Sequence, residues 1–304
     1  PKKHGGPELT MLEETLIGEA LGYGDTGVAT TILANNLALT PLLLNATPQQ
    51  LEKYIKPFVS GKKVQLAAFC LTEREAGSDA ASVKTRAGKD GNEWVVNGMK
   101  CFSTNGNVAK YHSVFTTTDP SLGYKGMAVH LVDTGLKGVE ITMVEDKMGQ
   151  RASYQCEVVY HDVRVPNDCL FGQVGQGFKT AMQTLDRTRA AIAALAVGVS
   201  QRAIHEAAKF ANHRKQFGKP IGEFQGSSFL LADMEARTEA ARWATRYAAW
   251  LADHNLRNTK ESACAKFFAS DAAMQNTTDC VQIMGGYGYL KEYPAEQLMR
   301  GAKL

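Results

Sequence analysis

Several signatures are missing from this 304-residue sequence, and each absence removes a class of function. No G-x-G-x-x-G follows a first strand and no G-x-x-x-x-G-K-[ST] occurs, so neither a Rossmann nor a P-loop nucleotide site has support. H-E-x-x-H, G-x-S-x-G and paired metal-ligand spacings are missing too, which removes zinc protease and nucleophile-elbow chemistry. The six cysteines form no C-x-x-C pair and sit mostly in apolar runs such as "AAFCL", so they read as buried thiols in a reducing compartment. Apolar runs are broken by Gly, Asn or Gln before they reach bilayer-spanning length, and "PKKHGGPEL" has no signal-type apolar core; no membrane insertion is expected. A net charge of +3, scattered rather than striped, argues against a nucleic-acid surface.

What is present is 44% hydrophobic and 21% charged, an ordinary globular balance on a chain long enough for a large core. Residues 9–61 are helical in pattern. Leu9, Leu12, Leu16, Ala20 and Leu21 form one stripe, Asp25 suits the cap of a second helix, and Thr47-Pro48 opens a third. From Val64 the pattern turns to β-branched and aromatic runs, with "KDGNEW" as a tight-hairpin signal. After "GQVGQGF" long helices return, over 177–213, 224–254, 259–284 and from 294 onward. Helices, then strands, then helices imply an α+β fold with an N-terminal helical domain, a middle β domain and a C-terminal helical bundle. The expected boundaries are 1–62, 63–172 and 173–304.

Four stretches could carry chemistry. "FCLTEREAGSDAAS" (69–82) and "CFSTNGNVAKY" (101–111) each end a strand in small polar residues, and each alone reads as a turn. "HRKQFGKPIGEFQ" (213–225) places cations, Gly and Pro where C-terminal capping would put them. In "QIMGGYGY" (282–289) two glycines follow a long helix, as a cap or as backbone brought close to a ligand.

In this order, with "KMGQRAS" between them and "EYPAEQLMR" after, the stretches resemble the acyl-CoA dehydrogenase family, nearest its medium- and short-chain members, over essentially the whole chain. The resemblance implies noncovalent FAD, an acyl-CoA substrate, an electron-transferring flavoprotein as acceptor, a homotetramer, and a mitochondrial matrix or bacterial cytoplasmic setting. The implied reaction is α,β-dehydrogenation to the trans-2-enoyl-CoA: a carboxylate takes the α-proton while the β-hydride moves to flavin N5. It also implies that Phe69, Leu71 and Thr72 meet the flavin pyrimidine side, that Phe102 covers the ring, and that Thr104 stands beside N5. Arg214, Gln216 and Phe217, with Gln225 and the backbone at Gln282, Gly285 and Gly286, would reach the FAD of a neighbouring subunit. Ser78, Asp186 and Arg189 would meet CoA, although a solvated helix face also accounts for the last two. Ile32 and Leu33 fall at the implied pocket floor, or are core residues at helical spacing.

Three departures stand out. Arg74 replaces a usual proline and Ser103 a usual aliphatic. No catalytic residue is assigned within the chain: Thr188 occupies an alternative base position it cannot serve, and the base glutamate is expected in a loop just after Leu304. The same alignment implies further chain before "GGPEL". A flavin oxidase on the same fold and a non-catalytic scaffold relative remain the competing readings.

Overall fold

The computed structural model describes residues 5–61 and 64–303. The described residues separate into two compact units: those within 1–8, 34–146 and 153–185 form one, and those within 9–33, 147–152 and 186–304 form the other.

The first unit is built on a mixed sheet. Its strands are β1 (Ala67–Cys70), β2 (Arg86–Asp90), β3 (Glu93–Thr104), β4 (Tyr111–Thr117), β5 (Met127–Asp133), β6 (Val139–Val144), β7 (Gln155–Pro166) and β8 (Leu170–Phe171). Their order is β6-β7-β3-β2-β4-β5-β8, with β1 added parallel to β4. The Asp-Gly hairpin forms as expected: Asp90 pairs with Glu93 across Gly91-Asn92, and Gly91 takes φ 57°, which its lack of a Cβ permits. Val96, Val114, Phe115, Leu131, Val158 and Val163 lie in one continuous core. Thr47 caps the short helix α3 (Pro48–Gln50) with a reciprocal bond to Gln50, after which the chain runs through a π turn (Leu51–Ile55) into α4 (Lys56–Val59).

The second unit contains α1 (Met11–Gly24), α6 (Gln225–Asp253), α7 (Thr259–Met284) and α8 (Pro294–Ala302). The helix α2 (Thr26–Asn45) and the 37-residue α5 (Gly177–His213) each contribute residues to both units. Asp25 caps α2 by accepting from the Gly27 and Val28 amides.

The apolar stripe read on α1 is not its buried face. Leu9 and Leu16 are exposed, and the buried positions are Met11, Thr15, Gly18 and Gly22. Small residues decide this, because α1 meets α5 at backbone distance: a Cβ on Gly22 would lie 2.3 Å from the Leu195 carbonyl oxygen, and one on Gly198 2.1 Å from that of Glu19. Backbone on both sides cannot yield as a flexible side chain can. Gly198→Ala is therefore expected to cost about 1–3 kcal/mol, measured as a lower urea midpoint at an unchanged slope; an unchanged midpoint would show that the helices can separate freely.

By length and hydropathy, α2 is apolar enough to cross a membrane, which the sequence reading did not anticipate. Half of that segment is buried within the protein, however, and Asn35 in its middle accepts from the Ala67 amide at 2.7 Å, as a core helix would. The cysteines are free thiols, five of them buried; Cys264 is exposed, against expectation, because it falls on the outer face of α7.

Candidate functional site

The ends of β1 and β3 are shaped by a bulge. Along β3 and β7 the register steps from Lys100↔Val158 to Ser103↔Cys156, three residues against two. The extra residue falls at Cys101–Phe102, where the Cys101 amide leaves the ladder to donate to the Thr72 carbonyl at 2.9 Å. Phe102 takes φ 55° and is 60% exposed, an uncommon backbone state for an aromatic residue and one that turns it off the sheet.

Phe102 opens onto a cavity of about 490 Å³ within the first unit, a size usual for small-molecule sites. Phe69, Leu71, Thr72, Ser78, Phe102 and Thr104 all line it. Six residues chosen from the sequence thus converge, although 35 positions separate the first from the last. The Thr72 and Thr104 hydroxyls make no protein hydrogen bond among the described residues, which leaves two donors for a ligand. Among the described residues, no Asp or Glu lines this cavity.

The sequence reading missed the opposite wall. Ala34 and Leu37 on α2, and Met182 and Leu185 on α5, are i,i+3 pairs that also line it, and helical spacing alone cannot separate them from core residues. Neither Ile32 nor Leu33 does: Leu33 packs with Ala29, Ala191 and Leu195, and Ile32 is exposed. Cys101 is a further wall residue; burial raises its thiol pKa, so it serves as an apolar surface.

The loop after β1 is pinned from below. Arg74, in the usual proline position, donates to Glu157 at 2.7 and 3.0 Å. Glu73 accepts from the Lys84 and Thr85 amides and from the Lys100 ammonium, and burial of Lys100 is complete. Asn105 (φ 65°) and Gly106 turn the chain after Thr104, and the Gly106 carbonyl accepts from His112 Nε2 at 2.8 Å.

A second cavity, of about 510 Å³, lies within the second unit and is lined by Arg214, Gln216, Gly285 and Gly286 together with Phe210 and Tyr287. "HRKQFGKP" is more than a helix cap. After α5 it forms a small hairpin, β9 (Lys215–Gln216) and β10 (Lys219–Pro220), which places Phe217 (φ 51°) and Gly218 at its tip. Phe217 is 94% exposed. The Arg214 guanidinium lies 5.4 Å above the Tyr287 ring and has no carboxylate partner among the described residues. Gly285 caps α7 with φ 59°, donating to the Gln282 carbonyl. Gln225 and Gln282 are exposed and do not line this cavity. Asp186 and Arg189, also in the second unit, pair with each other, and Asp186 further accepts from the Thr259 hydroxyl at 3.0 Å.

Residues 1–62, 68–163 and 175–304 match the N-terminal, middle and C-terminal domain descriptions of acyl-CoA dehydrogenase. The short-chain-specific acyl-CoA dehydrogenase of Clostridium acetobutylicum is 40% identical over 307 residues, covering 100% of this chain and 80% of that protein. The structure of butyryl-CoA dehydrogenase from Megasphaera elsdenii superposes with a TM-score of 0.96 at 41% identity, covering 100% and 80% of the two chains. A chain in a structure described as the electron transferring flavoprotein of Acidaminococcus fermentans gives 0.97 at 41% identity, with the same coverage. Matched from end to end and folded as a β unit between helical segments, the chain belongs to the acyl-CoA dehydrogenase family of FAD-dependent oxidoreductases acting on CH–CH bonds.

Proposed function

We propose that the cavity at the β1 and β3 ends holds the flavin ring of FAD against the acyl end of a short-chain acyl-CoA, for α,β-dehydrogenation to the trans-2-enoyl-CoA. The convergence of Phe69, Leu71, Thr72, Phe102 and Thr104 on one cavity carries this reading. The chemistry of the wall fits a flavin: aromatic and aliphatic faces for the ring, and unpartnered hydroxyls for its heteroatoms. Bound FAD supplies the hydride acceptor. Thr104 orients that acceptor through its hydroxyl, Phe102 covers the ring and excludes water, and Ser78 at the rim meets the CoA arm. A short acyl group is favoured because two relatives at about 40% identity are named for short-chain acyl-CoA and butyryl-CoA.

Removal of the α-proton needs a carboxylate, and none lines the cavity among the described residues. We assign that role to a glutamate supplied from outside these 304 residues. Electrons then pass to an electron-transferring flavoprotein, in keeping with the Acidaminococcus structure.

Arg214, Gln216, Gly285 and Gly286 form the wall offered to a neighbouring subunit's FAD in a homotetramer, with Phe217, Gln225 and Gln282 exposed outside it. In support, the Phe217 side chain is almost wholly solvent-facing, and α6 carries Trp243, Tyr247 and Trp250 exposed on one face. So much aromatic surface is usual at subunit contacts.

Anaerobic mixing of the FAD-loaded native polypeptide with butyryl-CoA is expected to bleach the flavin and yield enoyl-CoA, faster than octanoyl- or palmitoyl-CoA does. Thr104→Val should slow bleaching by about tenfold through loss of one hydrogen bond, with CoA binding unchanged. Bound FAD that no acyl-CoA bleaches would favour the scaffold reading. Peroxide stoichiometric with enoyl-CoA in air would favour an oxidase.

A further inference from the structure

We infer that the buried Lys100–Glu73 pair is an electronic positioning device for the flavin, acting through the Leu71–Thr72 peptide group at the cavity wall. The inference rests on the cavity assignment made above.

Lys100 is 0% exposed and points inward from β3. Its ammonium donates to Glu73 at 2.7 Å and to the carbonyl of Leu71 at 2.9 Å. Burial draws the Lys100 pKa downward and the Glu73 charge opposes that. Burial would raise the Glu73 carboxyl, but Lys100 together with bonds from Thr85 and Lys84 outweighs it and holds Glu73 below the ordinary carboxylate range. The Lys100 nitrogen thus faces the Glu73 carboxylate at 2.7 Å as its buried counter-charge.

Two strands could be joined without a buried charge, and replacing such pairs by apolar residues is often neutral for stability. The carbonyl contact is what sets this pair apart. Leu71 and Thr72 both line the cavity, and the amide joining them is a planar trans unit, so its N–H points opposite to its C=O and therefore away from Lys100. The Thr72 N–H has no protein acceptor among the described residues. A cation on the carbonyl oxygen polarises the peptide and strengthens its N–H as a donor, an effect that grows where water is excluded. The Thr72 N–H is thus a charge-assisted donor available to the pyrimidine edge, which gains electron density when the ring is reduced. Lys100 favours the reduced flavin without touching it.

The test is the midpoint potential of bound FAD, measured by equilibrium reduction against a reference dye, alongside titration of apoprotein with oxidised FAD. The double variant Lys100→Met/Glu73→Gln removes both charges together. Its midpoint should fall by about 30 mV, equivalent to tenfold weaker retention of the reduced over the oxidised form, while oxidised FAD binds within about threefold of the parent. A folded double variant with bound FAD at the parental midpoint overturns the inference and leaves Lys100 a structural residue. Should the double variant not fold, Glu73→Gln keeps shape while removing the counter-charge that holds the buried amine protonated, so the Leu71 carbonyl loses its cation. It should shift the midpoint downward by about 15 mV, or threefold, and no shift would again overturn the proposal. The cavity assignment fails separately: if Phe102→Ala and Thr104→Val both leave the absorption band of bound FAD unchanged, the flavin lies elsewhere.

Discussion

Lowering the pH from 7 to 4.5 is expected to cost the β unit roughly 2–3 kcal/mol at each of two histidines. His112 and His130 are fully buried on neighbouring strands, β4 and β5. Burial depresses their pKa values, to about 4 at His112 and about 3 at His130, from an ordinary 6.5. At His112 the Gly106 carbonyl pulls the other way but does not prevail. The unfolded chain binds more protons than the folded one between 6.5 and these lowered values, so stability rises with pH across that window. Above 6.5 the contribution is complete; it is lost as the pH falls toward about 4 for His112 and about 3 for His130. Glu73 is held below the ordinary carboxylate range, but burial raises Glu14 in the other unit, so His112→Gln is what assigns the decline to an imidazole. Urea denaturation at pH 7.5, 5.5 and 4.5 should show the decline, and His112→Gln should flatten part of it. A stability that is level over this span in the parent would show that neither imidazole is held neutral by the fold. Because His112 holds the Gly106 carbonyl beyond Thr104, FAD release in acid should accompany the loss.

Replacing Arg214 by alanine should weaken FAD retention by about 10- to 100-fold and loosen the oligomer in the same variant. The magnitude is that of a charge-assisted hydrogen bond, about 1.5–3 kcal/mol. Three observations locate the effect here. The guanidinium stacks on Tyr287 and has no carboxylate partner among the described residues, so its donors are available to an anion; it lines a cavity together with Gly285 and Gly286; and the adjoining hairpin projects Phe217 outward in a left-handed conformation. A pyrophosphate would meet the planar fork of donors that lysine cannot reproduce, so Arg214→Lys should recover only part of the affinity. FAD content after gel filtration and mass from light scattering give the two readouts. A variant that keeps full flavin content as a stable monomer would remove both the phosphate role and the intersubunit site. Arg214 lies just past the end of α5 and is exposed, so loss of folding is not expected to confuse the result.

Local signals determined much of this protein before any tertiary contact was considered. The bounds of α5 and α7, the Thr47 capping box and the turn at Gly91 were legible because each is decided within a few residues, by a cap, a glycine or a strand-to-helix change of period. The order of motifs from "FCLTEREAGSD" to "QIMGGYGY" was enough to indicate the family. Tertiary structure decided what depends on partners distant in the chain. Which side of α1 is buried follows from the backbone approach at Gly22 and Gly198, which no hydrophobic stripe encodes. The bulge that turns Phe102 outward follows from one residue more on β3 than on β7, and "HRKQFGKP" became a hairpin where capping rules saw only a stop. A lysine reads as surface until the fold surrounds it, and only three-dimensional packing brought Lys100, wholly buried, to the carbonyl of Leu71 behind the cavity wall.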